Sequence, residues 1–172
     1  MNKKWDVVFA GYIALKAAYD IAKAGPDEIT KRFPEFITDE IFDYRNHLNM
    51  STAKEKAIKV GGKCYMLSEG GLYEALWNIS SELKCGFDIY LKQVPVRQAT
   101  IELMVYKEED PYRSPSEGGM IILCNRASEV IDELSQVNIN AASIGFLRDD
   151  LDKRLIIDGR VQFLNKNYKE RK

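Results

Sequence analysis

The sequence predicts an α+β fold, a mixed β-sheet packed with helices, on three observations. Leu72, Ala75, Leu76, Ile79 and Leu83 fall at i, i+3, i+4, i+7 and i+11, the buried stripe of an amphipathic helix. Met120-Ile121-Ile122-Leu123-Cys124 is a continuous apolar run, which suits a central strand covered on both faces. Helical and strand patterns then mix along the chain without the regular alternation of a parallel α/β fold. The 172 residues fit one domain, 1–172, with a helix-rich first third.

Trp5 to Ala10 is β-branched and aromatic, which predicts a strand, with a single helix from Asp6 to Ala24 as the competing reading. Leu15, Ala18, Tyr19 and Ala22 mark a helix ended by Gly25-Pro26. Asp27 to Arg32 is a short helix broken by Pro34, and Thr38 is the expected N-cap of a helix reaching about Leu48. Ser51 caps another, with Ala53, Ala57 and Val60 inward and Gly61-Gly62 closing it. Those glycines lead into a short strand ending at Leu67, and the helix from Leu72 follows.

Gly86 to Leu91 alternates as a strand does, and Pro95 fixes a turn. Gln98 to Tyr106 reads as a helix burying Ile101, Met104 and Val105. Lys107 to Ser116 is polar, holds Pro111 and Pro115, and reads as a loop. Asn125 caps the helix after the apolar strand, with Ala127, Val130, Ile131 and Leu134 inward and Asn138 closing it. Ala142 to Leu147 is a strand. Asp158-Gly159 between two apolar runs, Leu155–Ile157 and Val161–Leu164, is a hairpin signal, and the charged tail from Asn165 to Lys172 is expected to fray.

Composition excludes several classes. With 25 basic and 26 acidic residues, the chain has no electrostatic footprint for nucleic acid or an anionic membrane. No apolar run approaches the roughly 20 residues of a spanning helix. Asp6 interrupts the apolar stretch behind Lys3 and Lys4, so the N-terminus does not read as a secretory signal, and a cytoplasmic protein is expected. Cys64, Cys85 and Cys124 lie far apart, without a CxxC pair or a Cys/His cluster, so they read as buried thiols. No metal or other cofactor is expected.

The stretch Ser68-Glu69-Gly70-Gly71 joins a strand to a helix, and Glu117-Gly118-Gly119 opens onto another strand. Paired glycines let the backbone turn tightly and approach a ligand or another segment, and the amides of a helix start can hold an anion. Two such corners facing one cleft make Ser68, Glu69, Gly70, Gly71, Gly118 and Gly119 ligand-binding candidates, and plain turns are the alternative. Arg97 is read as a phosphate contact or a surface salt bridge. Ser68 reads as an N-cap rather than a nucleophile, because the one histidine, His47, is distant in sequence. No catalytic residue is assigned.

Ser68-Glu69-Gly70-Gly71-Leu72 with Ala75-Leu76-Trp77 resembles the C-terminal domain of the AIR synthase-related superfamily. Val94-Pro95-Val96-Arg97-Gln98, Asp110-Pro111-Tyr112, Ser116-Glu117-Gly118-Gly119 and Ile139-Asn140-Ala141-Ala142-Ser143-Ile144-Gly145 are similar to it in the same order. The flavour is nearest the hydrogenase-maturation, HypE-like group. The resemblance implies an α+β domain that in full-length members follows an ATP-binding domain carrying the Mg-ATP acids; this chain begins about where the second domain starts. Three departures stand out: Met66 and Tyr65 replace a frequent aspartate and histidine, and a Gly-Ile-Glu-Gly-Thr pattern appears as Gly11-Tyr12-Ile13-Ala14-Leu15. The expectation is a stand-alone ligand-binding or assembly module without catalysis of its own. The alternative is one half of a split ATP-dependent enzyme completed by a separate ATP-binding-domain protein. A homo-oligomer is the other expected partnership.

Overall fold

The computed structural model describes residues 5–165. A seven-stranded mixed sheet runs in the order β2-β4-β1-β5-β3-β6-β7. Its strands are β1 (Asp6–Gly11), β2 (Lys63–Met66), β3 (Gly86–Tyr90), β4 (Gly119–Cys124), β5 (Ala141–Arg148), β6 (Lys153–Ile157) and β7 (Arg160–Phe163). All neighbours are antiparallel except β3 and β6. The helices are α1 (Leu15–Ala24), α2 (Pro26–Arg32), α3 (Glu35–Asp43), α4 (Ser51–Lys59), α5 (Gly71–Leu83), α6 (Gln98–Tyr106) and α7 (Ala127–Ser135). The expected α+β class is the observed one. β1 is a strand, so the single-helix reading of Asp6 to Ala24 falls away.

Side chains alternate across the central strands and so feed two cores. Val7, Phe9, Ile121, Leu123, Phe87, Ile89 and Leu155 bury against Leu72, Leu76 and Ile79 of α5. On the opposite face Val8, Ala10, Met120, Ile122 and Cys124 meet Ala53 and Ala57 of α4 and Val130 and Leu134 of α7. A third cluster joins α1, α2, α3 and α6 through Leu15, Ala18, Ile29, Ile37, Ile41 and Leu103. Both sides of β4 are therefore buried, which is why its sequence shows no alternation. The β6–β7 hairpin turns through Asp158 (φ 51°) and Gly159 (φ 75°), the left-handed pair that a two-residue turn requires.

Several local expectations need correction. Leu83, expected on the buried stripe of α5, is 37% exposed. Met50 and Gly70, rather than Ser51 and Ser68, stand at the N-caps of α4 and α5, and Cys64 and Cys85 are only half-buried. In α6 the buried residues are Ala99, Thr100, Leu103 and Met104, whereas Val105 is 72% exposed. The second half of α6 places Ile101, Leu103, Met104 and Val105 around the helix, so periodicity does not choose a face; packing on α1 and α3 chooses it. α3 starts at Glu35, directly behind Pro34, and Thr38 lies buried inside it, donating its hydroxyl to Glu35 O. The start of α7 is capped by Asp6, whose Oδ2 accepts Ala127 N–H at 3.0 Å, rather than by Asn125. The predicted fraying tail lies, from residue 166 on, outside the described residues.

Candidate functional site

Four segments converge at one end of the sheet. β1 leaves at Gly11, opposite Gly119 where β4 begins, and β2 ends at Met66, opposite Met120. β5 enters from Asn140, whose carbonyl accepts Gly11 N–H at 2.7 Å. Gly11 sits at φ 84°, and a Cβ there would lie 2.1 Å from Gly118 O. Only a residue without a side chain allows these two strand ends to approach so closely.

Beside them opens a half-enclosed cavity of about 290 Å³, near the lower end of ligand-pocket sizes. Leu15, Tyr44, Met50 and Ile139 supply its apolar walls, and Gly11 and Gly118 contribute backbone. Its polar rim carries Glu40, Asp43, His47, Arg97 and several asparagines. Arg97 Nε donates to Glu40 Oε1 at 2.7 Å, and its guanidinium lies 5.1 Å over the Tyr12 ring. Asn46 and then His47 hold the Asp43 carboxyl below its ordinary range, with His47 Nε2 2.8 Å from Asp43 Oδ2. Burial pushes the Tyr44 hydroxyl up to about 12, so it stays protonated, accepting from Thr100 Oγ1. Two carboxylates against one paired arginine leave the rim with a negative balance.

The two glycine corners are joined by hydrogen bonds. Ser68 O accepts N–H groups from both Gly71 and Ser116 at 3.1 Å, and Leu67 N–H donates to Gly119 O. Of the expected site residues, Gly118 and Arg97 line the cavity. Gly119 faces the Phe9 ring, which a Cβ would approach to 2.7 Å. Gly71, at φ 68°, begins α5 where a Cβ would lie 2.5 Å from Ser114 O, so its bareness admits the 110–116 loop. Ser68 and Glu69 are exposed, and Gly70, Gly71, Ser68 and Glu69 stand away from that cavity wall.

Several of the amides around the helix starts are engaged by the protein itself. Ala14 N–H donates to the buried Ser116 Oγ at 3.0 Å, Ala17 N–H to Pro115 O at 3.0 Å and Ile13 N–H to Pro95 O at 2.9 Å. At α5, Tyr73 N–H donates to Tyr112 O. The three departures fit this pattern. Ile13 is fully buried, Ala14 holds a left-handed conformation (φ 60°), and Met66 is 48% exposed at the end of β2. Tyr65 turns its hydroxyl to Glu82.

Tyr12, Glu40, Asp43, Tyr44 and Asn140 were not singled out by sequence. Glu40, Asp43 and Tyr44 share the end of α3, and the fold brings them to Tyr12 and Asn140 from the ends of β1 and the start of β5. Among the described residues no group of three or more His, Cys, Asp or Glu is placed to hold a metal ion, and no helix is long and apolar enough to cross a membrane.

This arrangement, a mixed sheet with glycine-rich corners gathered at one end, defines the AIRS-type C-terminal domain. The chain belongs to the family "AIR synthase related protein, C-terminal domain", whose profile matches residues 64–158. Its fold is similar to that of E. coli HypE, a hydrogenase maturation protein, with TM-score 0.77 at 16% identity over 96% of this chain and 50% of that one. A HypE structure in complex with ATP is similar at TM-score 0.67, with 17% identity over 96% of this chain and 51% of that one. Thiamine-monophosphate kinase from Stenotrophomonas maltophilia is similar at TM-score 0.71, with 12% identity over 92% of this chain and 51% of that one. The chain thus spans about half the length of these structures. No curated protein matches its sequence.

Proposed function

We propose that this protein is a ligand-binding or assembly module of the AIR synthase-related C-terminal type, a single domain over residues 1–172 that acts in the cytoplasm without catalysis of its own. The observation that carries this reading is the engagement of the Ile13, Ala14 and Ala17 amides by Pro95, Ser116 and Pro115, which takes three of the donors around the α1 start away from a phosphate. Arg97, the nearby cation, is already paired with Glu40. The cavity's negative balance favours an uncharged or cationic small molecule over a nucleotide. Isothermal titration with Mg-ATP tests the reading: no heat of binding up to millimolar nucleotide is expected, and micromolar affinity overturns it.

A second reading has its own support. One of the similar HypE structures is a complex with ATP, and this chain spans about half of it. On this reading the protein is half of a split ATP-dependent enzyme, completed by a separate ATP-binding-domain protein. Affinity capture from the native cell that recovers such a domain, together with ATP turnover by the reconstituted pair, supports it. Capture without such a domain removes it.

A further inference from the structure

The rim of the cavity beside the strand ends is rich in side-chain amides. Asn46 and Asn49 come from the turn between α3 and α4, and Asn138 and Asn140 from the connection between α7 and β5. The fold orients the first two. Asn46 donates Nδ2 to Asp43 Oδ1 at 2.7 Å, which leaves its carbonyl oxygen to accept. Asn49 Oδ1 accepts Ser51 N–H at 2.8 Å and the Ser51 hydroxyl at 2.6 Å, which leaves its two N–H groups to donate.

The other two are anchored by backbone. Asn140 O accepts Gly11 N–H, and Asn138, at φ 58°, donates its N–H to Ser135 O. Their side chains are exposed and make no hydrogen bond among the described residues. The carboxylates are partly used. Glu40 Oε1 takes Arg97, and Asp43 is shared by Asn46 and His47, yet each carboxylate oxygen has a second lone pair.

The groups left for a ligand are therefore mixed, with N–H donors from three amides and acceptors from amide and carboxylate oxygens. A phosphate only accepts, and the rim's negative balance repels it. An ammonium only donates, and the asparagine N–H groups would go unmet. A hydroxyl does both from one atom. Helix dipoles do not choose a charge, because α3 ends at this cavity while α1 and α4 start there.

We propose that this cavity binds a neutral, hydroxyl-rich molecule, a monosaccharide or a cyclic polyol. Its hydroxyls lie on the four asparagines and the two carboxylates, and the C–H face of its ring on Leu15, Met50 and Ile139. The proposal rests on the ligand-binding reading above and names the chemistry of the ligand. A volume of 290 Å³ is about ten waters' share of liquid, which a single sugar ring with its hydroxyls fills. A ligand that small, in a half-enclosed site, binds at roughly millimolar concentration.

Amide NMR of the labelled full chain, titrated separately with D-ribose, D-glucose, D-galactose, D-mannose and myo-inositol, tests this. At least one of them should give saturable millimolar shifts at Gly11, Gly118, Ile139 and Asn140. Inorganic phosphate and n-butylammonium should give none there. Asn140→Ala should keep the parent's melting temperature and weaken the bound sugar at least fivefold. Gln136→Ala, exposed and outside the cavity, should leave its affinity unchanged. No saturable shift from any of the five, n-butylammonium binding as tightly as the sugar, or indifference to Asn140→Ala overturns the proposal and leaves the ligand-binding reading standing. Saturable shifts of the same amides by micromolar Mg-ATP overturn both.

Discussion

Replacing Ser116 by alanine tests the idea that the glycine corners are tied to the protein rather than to a ligand. Ser116 is fully buried, and its hydroxyl accepts the Ala14 N–H at 3.0 Å and donates to Ser114 O at 2.9 Å. Alanine keeps the shape and removes both bonds. Ala14 is also fully buried, so its amide is left without an acceptor where water does not reach. A buried unsatisfied donor costs about 1–3 kcal/mol, and the Ser114 carbonyl, with a second lone pair, costs less. The expected loss is about 2–3 kcal/mol, which for a chain of this size lowers the melting temperature by roughly 4–12 °C. Thermal and urea unfolding read it, with Ser68→Ala as the control. Ser68 is exposed and acts through its carbonyl oxygen, so that variant should stay within about 0.5 kcal/mol of the parent. A Ser116→Ala protein that melts with the parent, or a Ser68→Ala protein that falls as far, refutes the reasoning.

Gly71→Ala places a Cβ 2.5 Å from Ser114 O at a left-handed φ of 68°, and urea unfolding should register a loss of about 2–4 kcal/mol. Arg97→Ala breaks a partly exposed ion pair and should cost no more than about 1 kcal/mol in the same assay. Arg148 holds the Asp150 carboxyl down to about 2. A depressed carboxylate contributes stability above its unfolded value near 4 and loses it as pH falls toward 2. Asp150→Asn should therefore lower the melting temperature at neutral pH and converge on the parent as pH falls toward 2, which flattens the acid limb in that window. Burial pushes the Cys124 thiol up to about 11, so at pH 8 it should react with a thiol reagent far more slowly than in urea, as followed by absorbance.

The sheet and most helices were legible because their residues carry local signals. Asp158-Gly159 announces its turn, and Leu72, Leu76 and Ile79 announce the α5 face. α6 was not legible in this way, because Ile101, Leu103, Met104 and Val105 offer apolar surface all round and only the position of α3 selects among them. The glycine corners were legible as corners. Their meeting through Ser116 was not, since that bond spans from residue 14 to residue 116. The cavity was least legible: Glu40 and Asp43 are neighbours by helical spacing, but they meet Asn140 only through packing of α3 beside the β5 start.

The binding of the α1 and α5 starts to their own loops sets what this protein can take up. It is tested most directly by amide NMR of the labelled full chain titrated with Mg-ATP. The Ile13, Ala14, Ala17 and Tyr73 resonances should stay in place and remain protected from solvent exchange up to millimolar nucleotide. Saturable shifts of those four amides at micromolar Mg-ATP would contradict it.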